Sequence, residues 1–202
     1  MNEDHPPYIQ EILGGIILNE KMVASILLVT LVILSGCGKN VDSKLPVSGE
    51  NAKSIVTPII NTEGNEIGEV SFVESGDGVT ISIQAEGLPP GVKGIHIHET
   101  GVCTPPDFTS AGSHFNPTHK EHGFDNPKGF HLGDLPNIEV DANGKVSAEV
   151  TTAEFTMKPG AANSILDSDG SALVIHESAD DYKTDPSGNS GARIACAAIT
   201  HK

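Results

Sequence analysis

The chain has 202 residues, room for one domain and a leader, and a formal net charge of −15, which excludes a nucleic-acid binder because phosphate contacts need a basic face. It has no Trp, 4% aromatic residues, 22 Gly and 13 Pro, a balance that favours strands and turns over helices. A mainly β fold is expected.

Residues 22–34, MVASILLVTLVIL, form an uninterrupted apolar run after Lys21. The run is short for a bilayer span and suits the apolar stretch of a secretory signal. LSGC follows, closing on Cys37, and resembles the lipobox of bacterial lipoproteins, in which the cysteine is diacylated and becomes the mature N-terminus. The alternative is a cleaved signal that releases a soluble protein. Residues 1–20 carry Glu3, Asp4, Glu11 and Glu20 and no Lys or Arg, unlike a basic signal n-region, so translation is expected to start near Met22. The expected organisation is a signal peptide over 1–36 with an over-extended N-terminus, a lipidated Cys37 and flexible tether over 37–51, and a domain over 52–202. The tether, GKNVDSKLPVSGEN after the cysteine, is polar and without periodicity. The expected localisation is extracytoplasmic, lipid-anchored to the cell membrane.

From about residue 52 the pattern turns to short alternating runs. Ser54–Thr57, Gly68–Val73 and Val79–Ala85 alternate with period two and are rich in β-branched residues, as half-buried strands require. Gly94–Glu99 is a further strand, and residues 138–150 read as a hairpin turning at Asn143-Gly144. Ala172–His176 and Arg193–Ile199 are two more, separated by a long polar loop over 177–192. About eight short strands argue for an antiparallel sandwich or barrel.

Residues 94–134 hold six of the nine histidines: His96, His98, His114, His119, His122 and His131. Each imidazole must be hydrogen-bonded, solvated or metal-bound, and a Gly- and Pro-rich loop crowded with nitrogen donors reads as a metal site. His96 and His98 are two apart on a strand and share a face. An HxH pair alone is equally the polar face of a strand, so its surroundings must decide. His114, His122, His131 and Asp134 supply three neutral nitrogens and one carboxylate, a closed set suited to zinc. His176 ends an apolar strand, and Arg193 is the only arginine in the chain. Of three cysteines, Cys37 serves processing, leaving Cys103 and Cys196 as a bridge or as two buried thiols.

The segments GIHIHE, AGSHFNP, the His114–His122–His131–Asp134 run, LVIHESADD and GNSGARIAC occur in one order and resemble the copper/zinc superoxide dismutases over about residues 54–200. The resemblance implies an all-β fold, an eight-stranded antiparallel Greek-key barrel or sandwich with two long functional loops, which agrees with the strands counted above. It implies copper held by His96, His98, His114 and His176, and zinc held by His114, His122, His131 and Asp134, with His114 shared. Asp180 matches a carboxylate that hydrogen-bonds one ligand histidine of each metal. Arg193 matches the guanidinium that docks superoxide, His114 a proton-delivering bridge, and Cys103 and Cys196 an intrachain disulfide. The loop 177–192 is shorter than in the eukaryotic enzymes, with Pro186 near the place of a steering lysine; Lys120, Lys128 and Lys183 are candidate replacements. His119 falls off the ligand spacing. The implied activity is dismutation of superoxide to oxygen and hydrogen peroxide, with a metal-binding lipoprotein that lacks turnover as the alternative. An adhesion-type sandwich leaves the histidines unexplained. The expected partners are superoxide and a lipid anchor, with no nucleic acid, and the chain is expected as a monomer or homodimer.

Overall fold

The computed structural model describes residues 53–201, so the expected signal peptide, Cys37 and the tether lie outside the described residues. Nine strands follow in order: β1 (Ser54–Asn61), β2 (Glu66–Ser75), β3 (Gly78–Ala85), β4 (Gly91–Lys93), β5 (Ile95–His98), β6 (Ile138–Val140), β7 (Val146–Thr152), β8 (Ser171–His176) and β9 (Arg193–Ile199). One 3-10 turn, Thr109–Ala111, is the only helical element among the described residues.

Seven strands form one curled antiparallel sheet in the order β5-β8-β9-β1-β2-β3-β7, and β4 pairs with β6 apart from it. The alternation read from the sequence is realised on β3, where Val79, Ile81, Ile83 and Ala85 are buried and the intervening side chains are not. Across the ladder Val70 opposes Ile83 and Phe72 opposes Ile81, so one face of β2 and β3 builds the core by cross-strand pairs. Phe155, Met157, Ile165 and Leu166, from the long segment between β7 and β8, close that core.

The strand count exceeds the expected eight because Gly91–Lys93, too short to carry a period, pairs with Ile138–Val140. The hairpin expected over 138–150 is corrected by the same pairing. Its turn forms, with Asp141 N–H donating to Lys145 O at 2.8 Å, but the flanking strands part company. β6 joins β4, and β7 joins β3 in full register from Ala85↔Val146 to Val79↔Thr152. A strong local turn fixes chain reversal and says nothing of which neighbour offers the better apolar face.

β5 and β8 are buried along their whole length. Ile95, Ile97, Leu173 and Ile175 enter the main core, while Ala172 and Val174 face the other way, onto Phe108, Ala111 and Cys196. The loop between β5 and β6 covers that second face and also the free edge of β5. Ile97 N–H donates to Gly133 O at 2.8 Å, Phe115 N–H to Ile97 O at 2.8 Å, and Gly133 N–H to Phe115 O at 2.9 Å. A Cβ on Gly133 would stand 2.3 Å from Ile97 O, so this close approach requires glycine. The result is a sheet edge with a histidine-bearing loop stitched along it.

Candidate metal centre

His96 and His98 project from the covered face of β5, because Ile95 and Ile97 occupy the core face. Bridges His98↔His114 and His96↔Asp134 bring the loop residues alongside them. His176 ends β8 opposite Arg193 on β9, where the register slips by one residue after Ile175↔Ala195. That irregularity passes over Ile194 and makes Arg193 the partner of His176.

Two groups of donors result. In the first, one ligand atom from each of His96, His98, His114 and His176 lies within 4.8 Å of the others, all in buried side chains. Four of their ring nitrogens, His96 Nδ1, His98 Nε2, His114 Nε2 and His176 Nε2, are buried with no hydrogen-bond partner. The opposite nitrogen of each ring is held: His96 Nε2 by Asp180 Oδ2 at 2.8 Å, His98 Nδ1 by Gly112 O at 3.0 Å, His114 Nδ1 by Asp134 Oδ1 at 2.9 Å and His176 Nδ1 by Gly191 O at 3.2 Å. In a neutral ring a nitrogen facing a carbonyl or carboxylate oxygen must donate, which leaves the lone pair of the other nitrogen free. Four unpaired lone pairs converging among buried side chains cost the fold several hydrogen bonds unless a cation takes them.

In the second group three rings converge on one carboxylate oxygen. Asp134 Oδ1 stands 2.9 Å from His114 Nδ1, 3.0 Å from His122 Nδ1 and 3.4 Å from His131 Nδ1. His131 Nδ1 is also 3.3 Å from His114 Nδ1. Asp134 Oδ2 is fixed separately, accepting the N–H groups of Gly123 and His131 at 3.0 Å each. His96 also comes within 4.8 Å of His114, His122 and Asp134, but its Nε2 is committed to Asp180 and its Nδ1 belongs to the first group. His131 is therefore the better fourth donor, and three nitrogens with one carboxylate oxygen suit a tetrahedral zinc.

The electrostatics follow from burial. Loss of water lowers the pKa of His176 to about 3 and of His114 to about 4, so both are neutral donors at neutral pH. Burial also lowers His96 and His98. For His122 burial opposes the charge, but its hydrogen bonds to Asp134 and Asp180 outweigh it and hold the ring up at about 9. Burial works against the carboxylates of Asp134 and Asp180 as well, yet the bonds from their histidines hold both far below the usual range.

Asp180 ties the two groups together, its Oδ2 on His96 and its Oδ1 3.0 Å from His122 Nε2. Arg193 is half-buried, donating from Nη1 to Phe108 O and from Nη2 to Gly112 O at 2.7 Å each. Gly112 O thus receives both Arg193 and His98, which places the guanidinium beside the first group. Cys103 and Cys196 are joined in a disulfide with Cα atoms 5.7 Å apart, pinning the covering loop to β9. A family model for copper/zinc superoxide dismutase matches residues 66–199.

The chain belongs to the copper/zinc superoxide dismutase family. It is 46% identical over 183 residues to superoxide dismutase-like protein YojM of Bacillus subtilis, covering 86% of this chain and 93% of that one. It is 51% identical over 142 residues to copper-zinc superoxide dismutase 2 of Aquifex aeolicus, covering 70% and 83%. Among solved structures, a superoxide dismutase-like protein from Bacillus subtilis matches at 53% identity and TM-score 0.70, covering 71% and 97%. The Cu/Zn superoxide dismutase of Brucella abortus matches at 30% identity and TM-score 0.60, covering 73% and 99%. The family uses copper and zinc, and the two donor sets fit those ions: imidazoles alone in one, imidazoles and a carboxylate in the other.

His119, off the ligand spacing in the sequence, is exposed and belongs to neither donor group, although it lines the cleft beside His114 and His131. Lys120, exposed like Lys183, lines a cleft of about 400 Å³ that reaches His114 and His131, whereas Lys128 is paired with Glu121 at 2.6 Å. Sequence reading missed the carbonyls of Phe108 and Gly112 that seat Arg193, and Asp185, whose Oδ1 accepts His122 N–H at 2.7 Å. No local pattern marks these, because each partner lies more than sixty residues away.

Proposed function

We propose that this chain dismutates superoxide to molecular oxygen and hydrogen peroxide outside the cytoplasmic membrane. Copper is assigned to His96, His98, His114 and His176, and zinc to His114, His122, His131 and Asp134. The observation that carries this reading is the set of four buried, unpartnered ring nitrogens beside a half-buried arginine. Copper when bound supplies the one-electron chemistry that oxidises one superoxide to O2 and reduces a second to H2O2.

The protein's own residues do the rest. An acidic chain repels an anion, so a local positive well is needed, and Arg193 supplies one. Its two bonds to backbone carbonyls hold the guanidinium plane rigid while leaving other N–H groups for the substrate. Asp107 shares the cleft of about 540 Å³ with Arg193 and tempers that field. His114 reaches both groups, Nε2 toward the first and Nδ1 toward Asp134, so Nε2, which can carry a proton only when it is not holding a metal, is the atom placed to pass one to peroxide. Asp180 and Asp134 hold the rings in orientation. Lys120 is the favoured steering lysine, since Lys128 is neutralised by Glu121.

For location, the reading is a lipoprotein attached through Cys37 after removal of residues 1–36, and the apolar run ending in LSGC supports it. Mass spectrometry of the mature protein tests this: a diacylglyceryl Cys37 at the N-terminus supports it, and a free N-terminus elsewhere overturns it. The second reading, metal binding without turnover, is favoured by the relative named only superoxide dismutase-like. Superoxide consumption by the protein loaded with zinc alone, then with zinc and copper, separates them. Turnover that appears only with copper supports the enzyme; stoichiometric copper uptake without turnover supports the second reading.

A further inference from the structure

Asn137 lies just past Asp134 and grips the backbone of Asp180 at both ends. Its Nδ2 donates to Asp180 O at 2.9 Å and its Oδ1 accepts Asp180 N–H at 2.9 Å, a two-way amide pair spanning 43 residues of chain. Asn137 N–H in turn donates to the Tyr182 hydroxyl at 2.6 Å. Tyr182 N–H donates to Asp180 Oδ1 at 2.6 Å, and Tyr182 O accepts Asp125 N–H at 2.8 Å. Tyr182 has a φ of 59°, which a tyrosine holds only where its surroundings impose it. Its ring meets Phe124 at 5.6 Å between centroids, so both ends of the side chain are engaged.

These contacts form one closed device. A carboxylate serving two imidazoles in different groups must be placed in both position and rotation. The amide pair fixes the position of Asp180's backbone. Tyr182 N–H fixes the rotation of its carboxylate, with the Gly188 backbone as the opposite wall: a Cβ there would stand 1.8 Å from Asp180 Oδ1. We propose that Asn137 and Tyr182 are positioning residues that act through Asp180, so that orientation of His96 in one metal group and His122 in the other depends on a single clamp. The proposal rests on the reading of the two groups as metal sites. It adds that the segment after Asp134 and the loop 177–192 set both affinities together.

The test uses the full chain stripped of metal, titrated with zinc and then with copper against a competing chelator. Asn137→Ala and Tyr182→Phe are each made in the wild type and in an Asp180→Asn background. Asn137→Ala is expected to weaken both metals by roughly ten-fold or more, the usual cost of losing a group that orients ligands. Tyr182→Phe keeps the ring and loses only the hydroxyl, and it is expected to weaken both by a smaller factor. In the Asp180→Asn background neither is expected to weaken binding further, because both act through that carboxylate. Equal losses in that background would overturn the proposal. So would a lower melting temperature with both affinities unchanged. If Asn137→Ala does not fold, the Tyr182→Phe pair decides by the same criteria. A wild type that binds neither metal sinks the metal-site reading instead.

Discussion

His176 and Arg193 are cross-strand partners of β8 and β9, brought opposite each other by a one-residue slip of register. One residue offers a buried, unpartnered Nε2 and the other a cation held by two carbonyls. The pairing puts a guanidinium next to a free ring nitrogen, and the distant loop that supplies the two carbonyls holds it there.

Removing the histidine of that pair separates the two groups. His176→Ala is expected to abolish superoxide turnover and copper uptake while zinc stays bound, because His176 belongs to the first donor set alone. Metal content by mass spectrometry of the folded variant checks this. Loss of zinc along with copper contradicts the division of the sites.

The arginine acts differently. Arg193→Ala is expected to lower kcat/KM by roughly ten- to a hundred-fold and to flatten its salt dependence, since steering by a local field contributes about 10–10³ to association. Arg193→Lys keeps the charge but cannot reproduce both carbonyl bonds, and it should fall between. Steady-state rates at several ionic strengths decide this. An alanine variant as fast as the wild type removes Arg193 from substrate docking.

Acid should destabilise the metal-free protein. His114 and His176 stay neutral in the fold down to about 4 and about 3, whereas in the unfolded chain they take protons near 6.5. Between those values the unfolded state binds more protons, so stability falls as pH falls. Asp134 and Asp180 add in the same direction, their contribution present above 3.8 and lost below it. His122 runs the other way: held up at about 9, its contribution is full below 6.5 and lost as pH rises through 9. Melting temperature measured from pH 3 to pH 10 should therefore peak near pH 6.5 and fall on both sides. A flat profile between pH 4 and 6.5 would contradict the burial of neutral histidines.

Reduction of Cys103–Cys196 should weaken the fold and the first donor group together. The bond closes a separation of 93 residues, which the chain-entropy model values at about 4–5 kcal/mol. It also anchors the loop carrying the carbonyls of Phe108 and Gly112, so Arg193 and His98 lose their seating when it opens. Denaturant unfolding of a Cys103→Ala, Cys196→Ala variant gives the stability change, and its copper affinity reports the loop. Unchanged copper affinity would place the disulfide outside the site.

The sequence by itself determined the strands that alternate, and so the core faces of β2 and β3, because side-chain direction follows a period of two wherever one face is buried. It also offered candidate donors by local spacing, His96 and His98 two apart and His131 three before Asp134, and the family resemblance grouped them with His114, His122 and His176. The tertiary structure decided the rest, since each remaining relationship is a contact between segments with no shared periodicity. It sent β6 to β4 rather than β7, slipped the register to face Arg193 with His176, and laid the loop along β5 so that His114 reaches both groups. It also chose Asn137, an ordinary polar residue in the chain, to hold Asp180. Such choices depend on which surfaces can be buried against one another, and a hydrogen bond between residues 43 apart leaves no mark on either neighbourhood.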